Sequence, residues 1–299
     1  MSWSTNLLWF FVLLAGTAWG QQAAIPDLRL RVVADWPALP AGWNFGEVAG
    51  IEADSRGHVF IFHRGTHPLM EFDARGSFVR SWLDDMITRA HSVRVDRESN
   101  IWIVDVGAHV VFKMNPQGRV IMVLGRRGQA GTTETSFNQP ADVAFAPNGD
   151  FYVADGYGNS RVVKFNREGK YLLEWGKKGT APGEFNLPHA VVLDPRGRVL
   201  VSDRENRRIQ IFDPTGKFLA QWNGVGSISG LDLTPDGKLL AAGGARLVLL
   251  DLDGRVVGSV APAGRLAGEV SAAHGVAAGP HGEVYVAELN WRAQKFIPQ

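Results

Sequence analysis

Residues 186–212 read Asn-Leu-Pro-His-Ala-Val-Val-Leu-Asp-Pro-Arg-Gly-Arg-Val-Leu-Val-Ser-Asp-Arg-Glu-Asn-Arg-Arg-Ile-Gln-Ile-Phe. Three short β-branched runs lie in this stretch, and turn chemistry closes each of them. Val191–Leu193 stops at Asp194-Pro195-Arg196-Gly197, Val199–Ser202 at Asp203-Arg204-Glu205-Asn206, and Ile209–Phe212 at Asp213-Pro214-Thr215-Gly216. Runs of this length bounded by Asp, Pro and Gly are strands joined by tight turns. A fourth run, Phe218–Trp222, completes a four-stranded antiparallel meander.

The unit recurs. Its first turn is found again at Asp54-Ser55-Arg56-Gly57, Asp96-Arg97-Glu98-Ser99, Ala146-Pro147-Asn148-Gly149, Thr234-Pro235-Asp236-Gly237 and Gly279-Pro280-His281-Gly282. Indexed on the last turn residue, the six copies are spaced by 42, 50, 48, 40 and 45 residues. Six four-stranded units at such a period predict an all-β fold, a six-bladed β-propeller. The sixth copy runs out after Lys295-Phe296-Ile297, three strands in. Leu28–Asp35 has the alternation of a strand, so it is expected to supply the missing fourth strand and close the ring without an open edge. The fifth copy, Gly230–Val260, is the most degraded, with Ala241-Ala242-Gly243-Gly244 where others carry a strand-end Asp. Asp84–Ala90 reads as one helical turn.

Composition narrows the function classes. A formal net charge of +1 lacks the basic surplus of a nucleic-acid binder. With no cysteine, neither disulfides nor thiolate metal sites are available. Leu7–Ala15 is an unbroken apolar run followed by small residues, the pattern of a secretory signal peptide, although Lys and Arg are missing ahead of it. The run is short for a membrane span. The expectation is a signal peptide over 1–20, a propeller over 21–299, and a secreted or periplasmic location, with an uncleaved anchor as the alternative.

Three histidines share one phase. His91, His189 and His274 each lie eight residues before the index residue of repeats two, four and six. Repeats one, three and five have Ala49, Ala141 and Ser229 there. The first strand of each blade lines the central channel, and alternate blades are related by about 120°. Three imidazoles then converge on the axis with small residues between them, the ligand set of a zinc that keeps an open coordination position. His58, His63, His67, His109 and His281 share no such phase and read as turn or surface residues.

Second strands end in Asp105, Asp155, Asp203 and Glu288, often followed by Asn and Arg, a recurring pattern that reads as hydrogen bonding to loop backbone. Three residues break the symmetry. Tyr157 sits between Gly156 and Gly158 in a loop one residue longer than its counterpart in repeat four, and projects. Arg64 and Arg204 each stand seven residues after their index glycine. A planar, permanently charged guanidinium suits a substrate carboxylate.

The repeats resemble NHL repeats, and the set resembles the peptidyl-α-hydroxyglycine α-amidating lyases, the lyase half of peptidylglycine α-amidating monooxygenase. The matching segments are Ile61-Phe62-His63-Arg64-Gly65, His91-Ser92-Val93, Trp102-Ile103-Val104-Asp105, Asp155-Gly156-Tyr157, Phe185-Asn186-Leu187-Pro188-His189 and Asp203-Arg204-Glu205-Asn206. The resemblance implies zinc on His91, His189 and His274, Tyr157 as catalytic base, and Arg64 and Arg204 as active-site arginines. It implies cleavage of a C-terminal α-hydroxyglycine to a peptide amide and glyoxylate. It also implies a structural calcium on the backbone carbonyls of Ile51 and Val93 and on an Asp following the third histidine. That Asp is replaced by Gly275, so the calcium lacks its carboxylate, with Asp54 and Asp142 the nearest substitutes by phase. Ala272 replaces a family Met, and Gly158 a family Cys. The competing expectations are a non-catalytic NHL propeller that binds a peptide or protein, and a metal-dependent lactone or ester hydrolase on the same scaffold.

Overall fold

The computed structural model describes Met1 and residues 25–299. The expected signal peptide, and most of the leader after it, lie outside the described residues. Six four-stranded antiparallel sheets follow one another. Five are plain meanders, and in the sixth the strand Leu30–Val32 pairs with the C-terminal strand Arg292–Pro298, in register Val32 to Phe296. The ring therefore closes as the truncated sixth repeat requires. Blade 5 keeps all four strands despite its degraded sequence.

The inner strands, one per blade, are Val48–Ala53, Ala90–Val95, Asp142–Phe145, Pro188–Leu193, Gly230–Leu233 and Ala273–Ala278. The second strands are buried along their whole length, which explains their unbroken apolar runs, whereas outer strands such as Tyr171–Trp175 alternate. Among the described residues there is no single central core. Apolar side chains gather in six clusters, one at each seam between neighbouring blades; Ile209 and Ile211 of blade 4, for example, pack with Leu239 and Leu250 of blade 5. Each blade thus buries its faces only against its two neighbours.

The index turns share a left-handed residue: Gly57, Gly149, Gly197, Gly237 and Gly282 have φ between 77° and 88°, and Ser99 takes the same role at φ 62°. One local expectation fails. Asp84–Ala90 contains a turn and no helix, because Leu83 (φ 70°) and Asp85 (φ 60°) are left-handed and cannot carry a right-handed ladder. The amides of Thr88 and Arg89 instead donate to the carboxylate of Asp105, and Ala90 already starts an inner strand.

The strand-end acids behave similarly throughout. Asp155 accepts from the Asn138 amide and Asp203 from the Asn186 amide, fixing the segment that leads into each inner strand. Arg161 and Arg208 brace the same carboxylates and reach the carbonyls of those segments. These pins hold the entrances to the inner strands, and therefore the residues that face the channel.

Candidate metal centre

His91, His189 and His274 converge at one end of the channel. Their ring centroids form a near-equilateral triangle of 4.7, 4.9 and 4.9 Å, and one ligand nitrogen from each lies within 4.8 Å of the others. All three are buried.

The residues between them fix the rings. His91 Nδ1 lies 2.6 Å from the Ala141 carbonyl oxygen, His189 Nδ1 2.7 Å from that of Ser229, and His274 Nδ1 2.7 Å from that of Ala49. Each histidine donates to the same-phase residue of the next blade around the ring. Ala49, Ala141 and Ser229 therefore leave space and also supply the backbone acceptors, a role invisible in their side chains. A carbonyl can only accept, so every Nδ1 carries the proton and every Nε2 presents a lone pair. Burial holds His91 and His189 well below the usual 6.5 and pushes His274 down to about 4, and the charges of Arg64 and Arg204 act in the same direction on His91 and His274. The imidazoles are neutral at pH 7, as metal ligands must be.

Tyr157 reaches this point from above. Its hydroxyl oxygen lies 2.8 Å from His189 Nε2 and 3.1 Å from His91 Nε2. One hydroxyl proton cannot serve two acceptors. The cluster thus has a surplus of lone pairs, and a cation at the convergence satisfies it. Nitrogen donors, trigonal placement and locked tautomers fit zinc. The two glycines around Tyr157 have a packing reason: a Cβ at Gly156 would meet the Pro188 carbonyl oxygen at 1.9 Å, and one at Gly158 would meet the Asn138 side chain at 2.1 Å. The loop is pressed against its surroundings on both sides of the tyrosine, and this aims the ring.

Arg204 places Nη1 3.4 Å from the Tyr157 hydroxyl and its guanidinium carbon 5.6 Å from the ring centroid, while Glu205 holds its other edge at 2.9 Å. Arg64 donates from Nε to the Ala90 carbonyl and pairs with Glu47 at 2.6 Å. The three histidines, Tyr157, Arg64 and Arg204 therefore gather at the same mouth. Glu47 and Glu205, which orient the two arginines, escaped the sequence reading because neither shares a repeat phase with another acid. His63 is a correction: it is neither a turn nor a surface residue but fully buried, its Nδ1 accepting from the amides of Gly46 and Gly65 at the base of the Arg64 loop.

The calcium expectation fares differently. Ile51 and Val93 line a cavity of about 20 Å³ below the histidines, together with Gly275 and Arg94. Asp54 is used up in its own turn by Arg56 and the His58 amide, and Asp142 is paired with Arg94. Among the described residues no free carboxylate faces that cavity, and the donor set does not fit calcium.

The NHL repeat family model matches residues 137–165 and 185–212, in blades 3 and 4. Over 90% of its length the chain is 34% identical to NHL repeat-containing protein 3 of Homo sapiens, and it covers 84% of that protein. The chain belongs to this NHL-repeat family. Within the same circle of relatives, the NHL-repeat propeller is 30% identical over 91% of its length to peptidyl-glycine alpha-amidating monooxygenase B of Xenopus laevis, spanning 36% of that protein. It is 33% identical over 63% of its length to peptidyl-alpha-hydroxyglycine alpha-amidating lyase 1 of Drosophila melanogaster, spanning 41% of it. The propeller thus spans about a third to two-fifths of the length of these amidating relatives. Among solved structures, a streptogramin B lyase superposes with a TM-score of 0.64 at 16% identity, over 86% of the propeller and 95% of that chain, a likeness of fold alone.

Proposed function

We propose that this NHL-repeat propeller is a zinc-dependent lyase that cleaves the C–N bond of a carbinolamide such as a peptidyl-α-hydroxyglycine, giving an amide and glyoxylate. The observation that carries the reading is the Tyr157 hydroxyl, set against two bare Nε2 atoms that share a single proton. The relation to proteins named as amidating lyases supports the substrate class.

In this reading His91, His189 and His274 hold the ion through Nε2. Bound there, zinc supplies Lewis acidity toward the substrate hydroxyl oxygen. Tyr157 relays the proton of that hydroxyl to the amide nitrogen. As the O–H electrons form the aldehyde C=O bond, the C–N electrons pass to nitrogen, which takes the relayed proton and leaves as the amide. Atoms balance without water or an oxidant. Arg204, beside Tyr157, or Arg64, across the opening, holds the substrate carboxylate and so fixes the carbinol carbon beneath the tyrosine. The channel below is blocked by buried side chains, so substrate enters from the loop face. Export is part of the proposal, on the strength of the Leu7–Ala15 run, and cell fractionation tests it.

The deciding experiment is an assay of glyoxylate release from a short peptide ending in α-hydroxyglycine, with zinc content measured in parallel. Zinc-loaded protein that releases no glyoxylate above the uncatalysed rate rules the reading out for that substrate.

A further inference from the structure

Below the three histidines and the 20 Å³ cavity, which has room for about one water, the channel axis is filled by a guanidinium. Arg94 stands three residues after His91 on the same inner strand and is buried. It donates from Nε to Asp142 Oδ1 at 3.0 Å and from Nη2 to Asp142 Oδ2 at 2.7 Å. It also donates from Nη1 to Glu52 Oε2 at 3.2 Å and from Nη2 to the Leu231 carbonyl at 2.8 Å. Asp232 lies 3.8 Å from Nη1.

The carboxylates pass the connection on. Asp142 accepts from the Val191 amide at 3.2 Å, and Asp232 from the Ala278 amide at 2.7 Å. Blade 2 carries the guanidinium, blades 1, 3 and 5 meet it directly, and blades 4 and 6 are joined to it through one carboxylate each. All six inner strands are thus tied to one positive charge on the axis.

The electrostatics require such a charge. Burial pushes Glu52 up to about 8 and Asp232 upward as well, and their proximity to one another adds to the rise in Glu52. Burial also works against the charge on Arg94, but Asp142, Glu52 and Asp232 together outweigh it and hold the guanidinium above its ordinary value. Removing the one cation would leave three acids facing each other in a low-dielectric channel. A divalent ion in the cavity above would meet this guanidinium on its far wall. The position offered by Gly275 has little room for a ligand, since even a Cβ there would lie 3.0 Å from the Ala49 carbonyl oxygen.

We propose that Arg94 is the propeller's own axial cation: its guanidinium does in the channel what a bound divalent ion would do, so the stability of the ring is independent of calcium. The inference does not rest on the lyase reading. It predicts a latent cation site, namely the Glu52, Asp142 and Asp232 oxygens that face one another once the guanidinium is gone.

The test is thermal unfolding of the full chain at saturating zinc, with and without about 5 mM calcium or magnesium, together with equilibrium dialysis for calcium. Wild-type protein is expected to bind no calcium at this concentration and to melt at the same temperature in all conditions. Arg94→Gln is expected to melt lower by about 5 °C or more, the scale of a broken buried ion pair, and to regain part of the loss with calcium. Arg94→Lys keeps the charge and should melt between the two without a calcium response. Adding Asp142→Asn and Asp232→Asn to Arg94→Gln should abolish the rescue. The proposal is overturned if wild-type protein binds calcium stoichiometrically or is stabilised by it, or if folded Arg94→Gln ignores calcium. Should Arg94→Gln not fold in either condition, the wild-type and Arg94→Lys measurements still decide.

Discussion

His274 Nδ1 donates to the carbonyl oxygen of Ala49 over 2.7 Å, across the seam where the last blade meets the first. The contact joins residues from opposite ends of the propeller and locks one imidazole. The same bond, turned around the axis, locks His91 on Ala141 and His189 on Ser229. The contact that closes the ring therefore also fixes the His274 imidazole, while His91 and His189 are fixed between consecutive blades. All three histidines should be Nδ1–H tautomers before metal is added. Long-range ¹H–¹⁵N spectra of histidine-labelled protein check this, and zinc should then shift the three Nε2 resonances and leave Nδ1 protonated. An Nε2–H tautomer at any of the three would contradict the assignment.

Zinc should bind at one ion per chain, and His189→Ala should lose most of it, because two imidazoles seldom hold zinc tightly. Elemental analysis of dialysed protein reads the result. Full zinc content in a variant carrying alanine at His91, His189 and His274 would place the metal elsewhere.

Tyr157→Phe removes one oxygen and keeps the ring that stands edge-on to His91 and His189. Turnover of a hydroxyglycine peptide should fall about 10²-fold or more, the usual scale of general acid–base catalysis, with zinc content unchanged. Glyoxylate release as fast as in wild-type protein would leave a lyase with a different proton relay.

Arg204→Lys keeps a charge near Tyr157 but loses the fork that Glu205 now orients. If Arg204 holds the substrate carboxylate, KM should rise about 10-fold or more with a smaller change in kcat, whereas Arg64→Lys should raise it less. Steady-state kinetics of the two variants ranks the arginines, and the reverse order would give the carboxylate to Arg64.

His63 sets an acid limit on stability. Burial pushes it down to about 4 from the usual 6.5, and its Nδ1 accepts two backbone amides that a protonated ring could not satisfy. The unfolded chain takes up this proton first as pH falls. The stabilisation is therefore complete above about 6.5 and is lost as pH drops through 6.5 toward 4. His63→Asn keeps an acceptor without a titrating ring, so its melting temperature should fall less than that of wild-type protein between pH 7 and pH 5. Parallel curves for the two proteins would show that His63 does not titrate in this range.

The ring could be read from the chain because each blade is written locally. Strand runs, the turns at Gly57, Gly197 and their equivalents, and the truncated sixth copy are all patterns within a few dozen residues, and the repeat period counts them. The phase of His91, His189 and His274 was legible for the same reason: a fixed offset in a repeat becomes a fixed height on the axis. Sequence also singled out Tyr157, Arg64 and Arg204, as departures from the repeat. What it could not show is what only closure brings together. The carbonyls of Ala49, Ala141 and Ser229 are the same in any residue type, so no side chain announces them as acceptors. Arg94 meets Glu52, Asp142 and Asp232 from three other blades, and although Glu52 and Asp232 stand three residues after Ala49 and Ser229 as Arg94 does after His91, the offset alone gives no reason for a cation there. The turn at Leu83–Met86 went the other way from its local propensity because the amides of Thr88 and Arg89 are claimed by Asp105, a partner supplied by the folded blade. Short-range chemistry determined the blades and the height of each candidate site residue; the curvature of the closed ring decided which of them touch.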